Sequence, residues 1–324
     1  MKMKRVTRLL LLTLIFGIFI TGVSVAQAQD EDRFTVKLKI GALGLFRQGN
    51  DNITLVTDSF TPGGNKLLNA NDLNLGIAPG LDASVWGRYR MFGLEFRYFG
   101  IFESSSSEGP VDSAAGAVVQ YLNPIGNTAF PNIVNAEYDS NMHNIEANVR
   151  WWPFDRLSIL AGFRYLMLDE NLDITQDIGP GLNLATHEIK TENTLLGGQV
   201  GLEGVILRFK DAFMQGDELN FGGWAKGGYF NNHIETDIAI TTTAFAAKGS
   251  DDKSSFLAEG ALNIGYKITK NVAVDLRYQV LWIQNVGLAP EQVTGSDPGV
   301  SGIASTKAQS VLYHGPWVGI VLSF

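Results

Sequence analysis

The last ten residues of the chain constrain its fold more than any other segment. They alternate between two faces, which is the period of a β-strand. One face carries Val318, Ile320, Leu322 and Phe324, so it is continuously apolar and ends on an aromatic side chain. Lipid offers no water to backbone groups, and therefore only helices and closed barrels cross a membrane. If this apolar face contacts lipid, the chain must close into a barrel.

The N-terminal segment predicts export. It begins with the basic residues Lys2, Lys4, Arg5 and Arg8. An apolar run over residues 9–20 and a small-residue cleavage site at 26–28 follow. We therefore expect a secretory signal peptide over residues 1–28 and a single domain over residues 29–324. The alternative is a retained anchor helix, but the apolar run is shorter than the roughly 20 residues that cross a bilayer.

Composition excludes several classes of protein. The chain has no cysteine, so it holds no disulfide, zinc thiolate or thiol nucleophile. It has 25 basic and 33 acidic residues, and losing the signal segment would remove four basic residues and no acidic ones. That balance argues against a nucleic acid partner, because phosphate contacts need clustered lysine and arginine. The mean hydropathy of +0.05 suits a β-barrel, which places apolar residues at every second position.

Period-two alternation recurs along the whole exported part and predicts ten strands. The runs cover about residues 34–46, 73–89, 93–102, 138–152, 157–178, 185–207, 218–243, 254–268, 272–282 and 308–324. Connections after the even-numbered runs are mostly short, and those after the odd-numbered runs are mostly long. Short periplasmic turns and long extracellular loops produce this asymmetry in outer-membrane barrels.

The predicted fold class is therefore all-β, a transmembrane antiparallel up-and-down β-barrel of about ten strands. Twelve strands are the alternative, because the long stretch over residues 104–137 has room for a further hairpin. An even number of strands puts both chain ends on the periplasmic side. The C-terminal strand, with Val318, Ile320, Leu322 and Phe324 on its outer face, is the predicted signal for the barrel-assembly machinery.

The alternation does not by itself say which face meets lipid. A soluble lipocalin-type barrel would point its apolar face inward. Two aromatic groups favour lipid, since they lie near opposite ends of the strands as interfacial girdles do. The group near the short turns is Tyr89, Phe92, Trp151, Trp152, Phe154, Phe209, Phe213, Tyr266 and Phe324. The group near the opposite ends is Phe102, Tyr165, Phe230 and Trp282.

The polar face carries acids and arginines together, which predicts a lumen charge network. Its members are Asp82, Arg88, Glu95, Arg97, Glu146, Arg150, Arg164, Glu203, Glu259, Asp275 and Arg277. Such charges either line a pore or pair across the lumen and plug it. Barrels of about eight strands are filled by their own side chains, whereas 16–18 strands leave a wide channel. Ten strands favour a plug or a very narrow conduit.

Nothing in the sequence points strongly to catalysis or to a metal. Of the four histidines, His143 has Asp139 four residues before it and His187 has Glu188 beside it. General acid–base work also needs a shielded pocket, and surface histidine is the simpler interpretation. The acidic segment over residues 169–173 lacks the spacing and glycine of an EF-hand. We therefore expect no catalytic residue, no metal site and no cofactor.

Three segments resemble known outer-membrane proteins. They cover residues 160–170, 195–204 and 313–324, and the first reads Leu-Ala-Gly-Phe-Arg-Tyr-Leu-Met-Leu-Asp-Glu. They resemble outer-membrane proteins of the putative β-barrel porin class of planctomycete type, and are similar to the Legionella-type pore-forming major outer-membrane protein. The resemblance implies a bacterial outer-membrane location and a pore, and it carries over no catalytic residue.

Three functions remain open from the sequence. The leading one is an integral outer-membrane β-barrel with porin-like passage of small solutes, or a structural role. The alternative is an adhesin-like barrel with a plugged lumen that displays the loops over residues 47–71, 104–137 and 285–307 to surface ligands. An outer-membrane enzyme that uses His143 or His187 as a base is the third, and we expect no enzyme. Outer-membrane lipid is the expected partner in each case.

Overall fold

The computed structural model describes residues 34–48, 53–58, 64–113, 116–121, 132–177, 183–241, 245–296, 304 and 306–324. In chain order the strands are β1 (Phe34–Gln48), β2 (Thr54–Thr57), β3 (Lys66–Asn69), β4 (Ile77–Tyr89), β5 (Phe92–Ser113), β6 (Val118–Val119), β7 (Asn132–Phe154), β8 (Leu157–Asp177), β9 (Asn183–Lys210), β10 (Glu218–Ile240), β11 (Phe245–Lys267), β12 (Val272–Val286) and β13 (Gln309–Ser323). The predicted signal peptide over residues 1–28 lies outside this part of the chain and stays a prediction.

Ten long strands close into an antiparallel barrel in the order β1-β13-β12-β11-β10-β9-β8-β7-β5-β4. The predicted fold class and strand number are confirmed. The alternative of twelve strands rested on the stretch over residues 104–137. In that stretch β5 continues to Ser113 and β7 begins at Asn132, so its described residues mainly lengthen the β5–β7 hairpin. The β2, β3 and β6 strands form a separate small sheet.

The first and last strands pair with each other and close the barrel. Their register runs from Lys37 opposite Ser323 to Gln48 opposite Leu312. The Phe324 backbone N–H donates to the Val36 carbonyl at 2.9 Å, and the Val36 N–H donates back at 3.0 Å. Because side chains alternate, Val318, Ile320 and Phe324 are exposed on the outside, whereas Trp317 and Val321 are buried inside.

The two ends of the barrel differ, as expected. Four short turns, over residues 90–91, 155–156, 211–217 and 268–271, lie at one end. At the other end β7 to β11 extend well past their neighbours, and β9 alone has 28 residues. The short-turn end is the periplasmic end of an outer-membrane barrel, and the long-strand end is extracellular.

The outer surface changes from apolar to polar at a common height. On β8 the outward side chains run from Ile159 through Phe163 to Met167, and Phe163 is 72% exposed. Asp169 and Asp173 then replace them. The same change occurs on β7, β9 and β10, so the apolar belt fits a membrane and the polar extensions stand above it.

The aromatic prediction is right for most side chains and wrong for two. Tyr89, Phe92, Trp151, Phe154, Phe209, Phe213 and Phe324 are exposed near the short turns. Trp152 is instead buried beside Arg88, and Phe230 is fully buried inside the barrel. Both positions face inward on their strands, and Trp152 shares the parity of the inward-facing Arg150.

Above the membrane belt the extended strands support a cap with its own apolar core. The cap consists of the small sheet, a 3-10 helix (Ala70–Asp72), the helix α1 (Ala289–Gly295) and the upper parts of β7 to β10. Its buried side chains include Leu55, Val56, Leu68, Val119, Ile174, Ile189, Ile238 and Val293. Helices in the described part of the chain are too short or too polar to cross a membrane.

Candidate functional site

Inward-facing charges from nine strands meet in the periplasmic half of the lumen, and we call them the charge cluster. The strand register explains part of it, because Arg97 on β5 lies opposite Glu146 on β7, which lies opposite Arg164 on β8. Opposite charges thus alternate on adjacent strands. The members are Lys39, Asp82, Glu95, Arg97, Glu146, Arg150, Arg164, Glu203, Lys226, Glu259, Asp275 and Arg277.

The centre of the charge cluster crosses the lumen. Arg97 Nη1 lies 3.1 Å from Glu146 Oε1 and 2.8 Å from Glu259 Oε1. β5 and β11 are five strands apart in the ring of ten, so the bond between Arg97 and Glu259 joins opposite walls. Arg164 also pairs with both carboxylates, at 2.7 Å from Glu146. Lys226 Nζ adds a contact of 2.7 Å to Glu146 Oε2.

Two further sets of pairs attach to this centre. Arg97 makes a bidentate pair with Asp82, at 3.1 and 2.9 Å, and Asp82 also accepts from Arg277 Nη2 at 3.0 Å. Nearer the short turns, Arg150 lies 2.7 Å from Glu95 and 2.5 Å from Glu203. Bidentate and charge-assisted bonds of this kind are the strong ones in proteins.

The charge cluster is buried and balanced in charge. Glu146 and Arg164 are 0% and 1% exposed. The twelve members comprise six cations and six carboxylates, so the cluster is electrically neutral. Trp224 fills space among the cations, with its ring 5.2 Å from the Arg97 guanidinium and 4.8 Å from Lys226 Nζ. The cavity among these side chains measures about 30 Å³, which is room for about two water molecules.

The structure brings ten of the eleven predicted lumen charges together and leaves Arg88 out. Arg88 is the next-to-last residue of β4 and lies at the periplasmic mouth, 3.8 Å from Asp155 of a turn. Its guanidinium stacks on Trp152 at 4.9 Å. The prediction for Arg88 is corrected accordingly, because the strand ends before this side chain can enter the lumen.

Three members or neighbours of the charge cluster were not predicted from the sequence: Lys39, Lys226 and Trp224. Lys226 contacts the central carboxylate, yet it lies in a glycine-rich part of β10 where apolar alternation is weak. The alternation along β10 does indicate that both side chains face inward, because Trp224 and Lys226 have the same parity as the inward-facing Phe230. The polar linkers Asn148 and Gln199 also escaped notice, although both donate to Glu146.

A ring of inward apolar side chains lies above the charge cluster, and we call it the apolar layer. Each of the ten barrel strands contributes one buried residue to it. The ring is Leu45, Ala78, Phe99, Met142, Leu166, Leu195, Phe230, Leu257, Leu281 and Tyr313. Both faces of the barrel wall are therefore apolar at this height. Water and ions that enter the lumen from below meet a desolvated barrier here.

A second polar set lies above the apolar layer and fixes the chain that crosses the lumen. Arg47 Nη2 lies 3.0 Å from Glu170 Oε1, and Tyr138 donates to Glu170 Oε2 at 2.7 Å. The same Oε2 accepts the Ala289 backbone N–H at 2.9 Å, at the start of α1. Asn193 bonds both backbone groups of Gly287 at 2.7 Å. The segment that leads into α1 is thus held inside the barrel.

Two of the predicted display loops therefore begin inside the barrel. Arg47 is paired in the lumen, and five consecutive residues of α1, from Ala289 to Val293, are buried. Glu170, considered above as part of an acidic segment, points inward, whereas Asp169 and Asp173 point outward on the same strand. Among the described residues no group of three acids or histidines has the geometry of a metal site.

The four histidines occupy four different environments. His143 and His314 lie on the outer face, where their Nδ1 atoms share hydrogen bonds with Tyr98 at 2.9 Å and Tyr278 at 2.6 Å. His187 is fully buried in the cap, and neither of its ring nitrogens has a hydrogen-bond partner among the residues that the structure describes. His233 stands on the exposed extracellular wall, 2.8 Å from Asp252 and 3.3 Å from Glu235. The hydrogen bond with Asp252 raises the pKa of His233.

Comparison with known proteins gives one family and a set of barrel neighbours. The family described as "Putative beta barrel porin-7 (BBP7)" matches residues 38–300. No curated protein matches the chain. In fold the chain is similar to the outer membrane protease OmpT from Escherichia coli, at 11% identity and a TM-score of 0.51, over 92% of this chain and 99% of that one.

Two other barrels align with lower scores. The toluene transporter TbuX from Ralstonia pickettii has 8% identity and a TM-score of 0.35, over 91% of this chain and 89% of that one. The translocator domain of the autotransporter NalP from Neisseria meningitidis has 9% identity and a TM-score of 0.35, over 96% of each chain.

Proposed function

This chain belongs to the putative beta barrel porin-7 family of outer-membrane barrels, and we propose that its barrel is sealed and holds a folded cap at the cell surface. The resemblance to β-barrel porins found in the sequence is confirmed by this match, as is the bacterial outer-membrane location. Within that location, we favour a barrel with a plugged lumen over a barrel that passes small solutes as a porin does.

The bond between Arg97 and Glu259 carries the proposal. It joins opposite walls of the lumen at 2.8 Å, and both side chains are almost completely buried. A hydrated ion that passed this point would have to separate these buried charges. Breaking one buried ion pair costs about 3–5 kcal/mol, and the cluster holds several that share atoms.

The apolar layer adds a second, independent seal. Ring positions such as Phe99, Leu166 and Phe230 are 0% exposed. An ion crossing this layer would lose its hydration without gaining a polar partner, which is costly in a medium of low dielectric constant. A pore would therefore require both layers to move, because opening either one leaves the other closed.

In this proposal the sealed barrel serves to hold the cap at the cell surface. Its core is separate from the lumen layers, and it is tied to the barrel wall through Glu170 and Asn193. A barrel that does not conduct can still fix such a cap at a set height above the lipid. We infer that surface ligands, when present, contact the cap and the loops around it.

We also propose that the chain is not an enzyme. The fold shared with OmpT, at 11% identity, says nothing about proteolysis here. His233 has acidic neighbours, but its side chain is 44% exposed on an open wall. His187 is buried, and within the described ranges of the chain no carboxylate pairs with it. Peptide hydrolysis by the purified protein that disappears in His233→Ala would contradict this part.

Conductance in planar lipid bilayers tests the sealed lumen. We expect purified protein that is heat-modifiable on gels, and hence folded, to give no channels. The matched variant combines Arg97→Ala and Glu259→Ala with alanine at Phe99, Leu166 and Phe230, and it should conduct because both seals are removed. Stable channels from the unmodified protein would overturn the proposal.

A further inference from the structure

All four short turns at the periplasmic end present an exposed cation. Arg90 lies in the β4–β5 turn and Arg156 in the β7–β8 turn. Lys210 is the last residue of β9, and Lys270 lies in the β11–β12 turn. The four positions are spread around the whole rim, because the turns connect successive pairs of strands in the ring.

Each of these cations has an exposed apolar side chain beside it. The exposed fractions are 51% for Met91 and 58% for Phe92 near Arg90, 69% for Phe154 near Arg156, 74% for Phe213 and 61% for Met214 near Lys210, and 44% for Ile268 near Lys270. Phe92, Phe154 and Phe213 belong to the aromatic group near the short turns, and what each turn adds to that group is a neighbouring cation.

Most acids of the same rim have a close partner. Glu218 lies 3.3 Å from Arg208, whereas Asp155 lies 3.8 Å from Arg88 and is 96% exposed. Asp217 accepts three backbone N–H bonds and one from the Tyr266 hydroxyl. Burial would raise the pKa of Asp217, but these hydrogen bonds outweigh it and lower the pKa.

The four turn cations make no salt bridge among the described residues, and the Arg90 guanidinium lies 5.4 Å from the Tyr89 ring. The rim as a whole has seven cations and four acidic side chains, although the protein has a formal net charge of −8. The cations are Arg88, Arg90, Arg156, Arg208, Lys210, Lys267 and Lys270, and the acids are Asp155, Asp211, Asp217 and Glu218.

The longest turn is built so that its apolar side chains project. Asp217 gathers the backbone N–H groups of Ala212, Phe213 and Met214 at 2.6–3.0 Å. Asp211 accepts the Gly216 N–H at 2.6 Å. The Phe213 ring meets the Tyr266 ring edge-on at 5.6 Å. The turn is rigid, yet Phe213 remains 74% exposed, so it is not there to fill a core.

We propose that the four turns form an anchor that binds anionic phospholipid headgroups of the inner leaflet. The apolar side chains would enter the boundary of the acyl region, and the cations would contact headgroup phosphates. Lipid fits better than a discrete protein partner, because cation and apolar group recur together around the full rim at the edge of the lipid belt. The anchor does not depend on whether the lumen is sealed.

The test compares a rim variant with a matched control. The rim variant carries Arg90→Gln, Arg156→Gln, Lys210→Gln and Lys270→Gln. The control carries Lys66→Gln, Lys190→Gln, Lys248→Gln and Lys253→Gln, which remove the same number of cations from the extracellular side. Thermal unfolding is measured in micelles that contain phosphatidylcholine alone or with phosphatidylglycerol, and with inorganic phosphate as a separate addition.

We expect phosphatidylglycerol to raise the melting temperature of the unmodified protein and of the control. The rim variant should lose at least half of that shift, and inorganic phosphate should give none. The proposal is overturned if the rim variant keeps the full shift, if the control loses as much as the rim variant does, or if free phosphate alone reproduces the shift.

A second measurement needs no variant and so does not depend on folding of the rim variant. Native mass spectrometry of the unmodified protein should show phosphatidylglycerol retained over phosphatidylcholine. That preference should fall near 1 M salt, where the Debye length is about 3 Å. Equal retention of both lipids would also overturn the proposal.

Discussion

Removing Arg97 tests whether the charge cluster is a coupled unit. Arg97→Met keeps much of the side-chain volume and deletes the positive charge that contacts Asp82, Glu146 and Glu259. The lumen then holds five cations and six carboxylates. A second variant, Arg97→Met with Glu259→Met, restores equal numbers, and Lys248→Met removes an exposed pair with Asp237 as the control.

The expected loss of unfolding free energy depends on which cations each carboxylate still contacts after Arg97 is replaced. Asp82 retains Arg277, and Glu146 and Glu259 both retain Arg164. Breaking a buried pair costs about 3–5 kcal/mol when a charge is left without a partner. Because every carboxylate here keeps at least one cation, and Glu146 also keeps Lys226, we expect the lower end, about 3 kcal/mol, for Arg97→Met. The double variant should cost less than the sum of its single changes, by about 1–3 kcal/mol.

Urea unfolding in phospholipid vesicles, followed by tryptophan fluorescence, measures these differences. The Trp224 ring lies 5.2 Å from the Arg97 guanidinium and so reports directly on the cluster. We expect no measurable change for Lys248→Met. Additive costs in the double variant would refute the reasoning, because they would mean that Arg97 and Glu259 do not interact across the lumen.

Three other outcomes concern the cap, a strand contact and the closing strand. Burial lowers the pKa of His187 from 6.5 to about 4. Between these two pH values the unfolded state binds more protons than the folded state does. The free energy of unfolding of the cap should therefore fall by about 3 kcal/mol as the pH drops from 6.5 to about 4. Hydrogen exchange over residues 116–121, compared with His187→Phe, measures this change. A Cβ on Gly197 would lie 2.1 Å from the Tyr229 carbonyl oxygen, whereas on Gly198 the nearest atom is 3.9 Å away; Gly197→Val should abolish the heat-modifiable form on gels, and Gly198→Val should retain it. Deleting Phe324 removes two backbone hydrogen bonds with Val36, so the heat-modifiable fraction should fall.

Local alternation was enough to predict the strands. The run expected over residues 157–178 is β8 (Leu157–Asp177), and the run expected over 272–282 starts where β12 starts. Each strand carries its own evidence, because successive side chains face opposite sides whatever the rest of the chain does. Short turns on one side and long extensions on the other were readable for the same reason.

The apolar layer could not be separated from the lipid face by sequence. In β8 the inward Leu166 and Leu168 alternate with the outward Tyr165 and Met167, so the segment is apolar at every position. Alternation disappears where both faces of a wall are apolar, and with it the information about which residue points inward. The cap was equally hidden, since β2, β3 and β6 have two to four residues each.

Which charges pair with each other inside the charge cluster is set by closure of the barrel and not by local sequence. Arg97 and Glu259 are 162 positions apart and meet only because β5 and β11 face each other across the lumen. The sequence supplied the types of charge and their parity, but no local pattern links strands that are not neighbours. Lys226 was missed because its strand has glycine at positions where apolar residues would reveal the alternation.

Thiol labelling tests the sealed lumen most directly, because the chain has no cysteine of its own. Single cysteines replace Lys39 at the periplasmic side of the charge cluster and Leu195 in the apolar layer. A charged, membrane-impermeant reagent is applied from each side of oriented vesicles. We expect labelling at position 39 from the periplasmic side and none at position 195 from either side. Labelling at position 195 would contradict the sealed lumen.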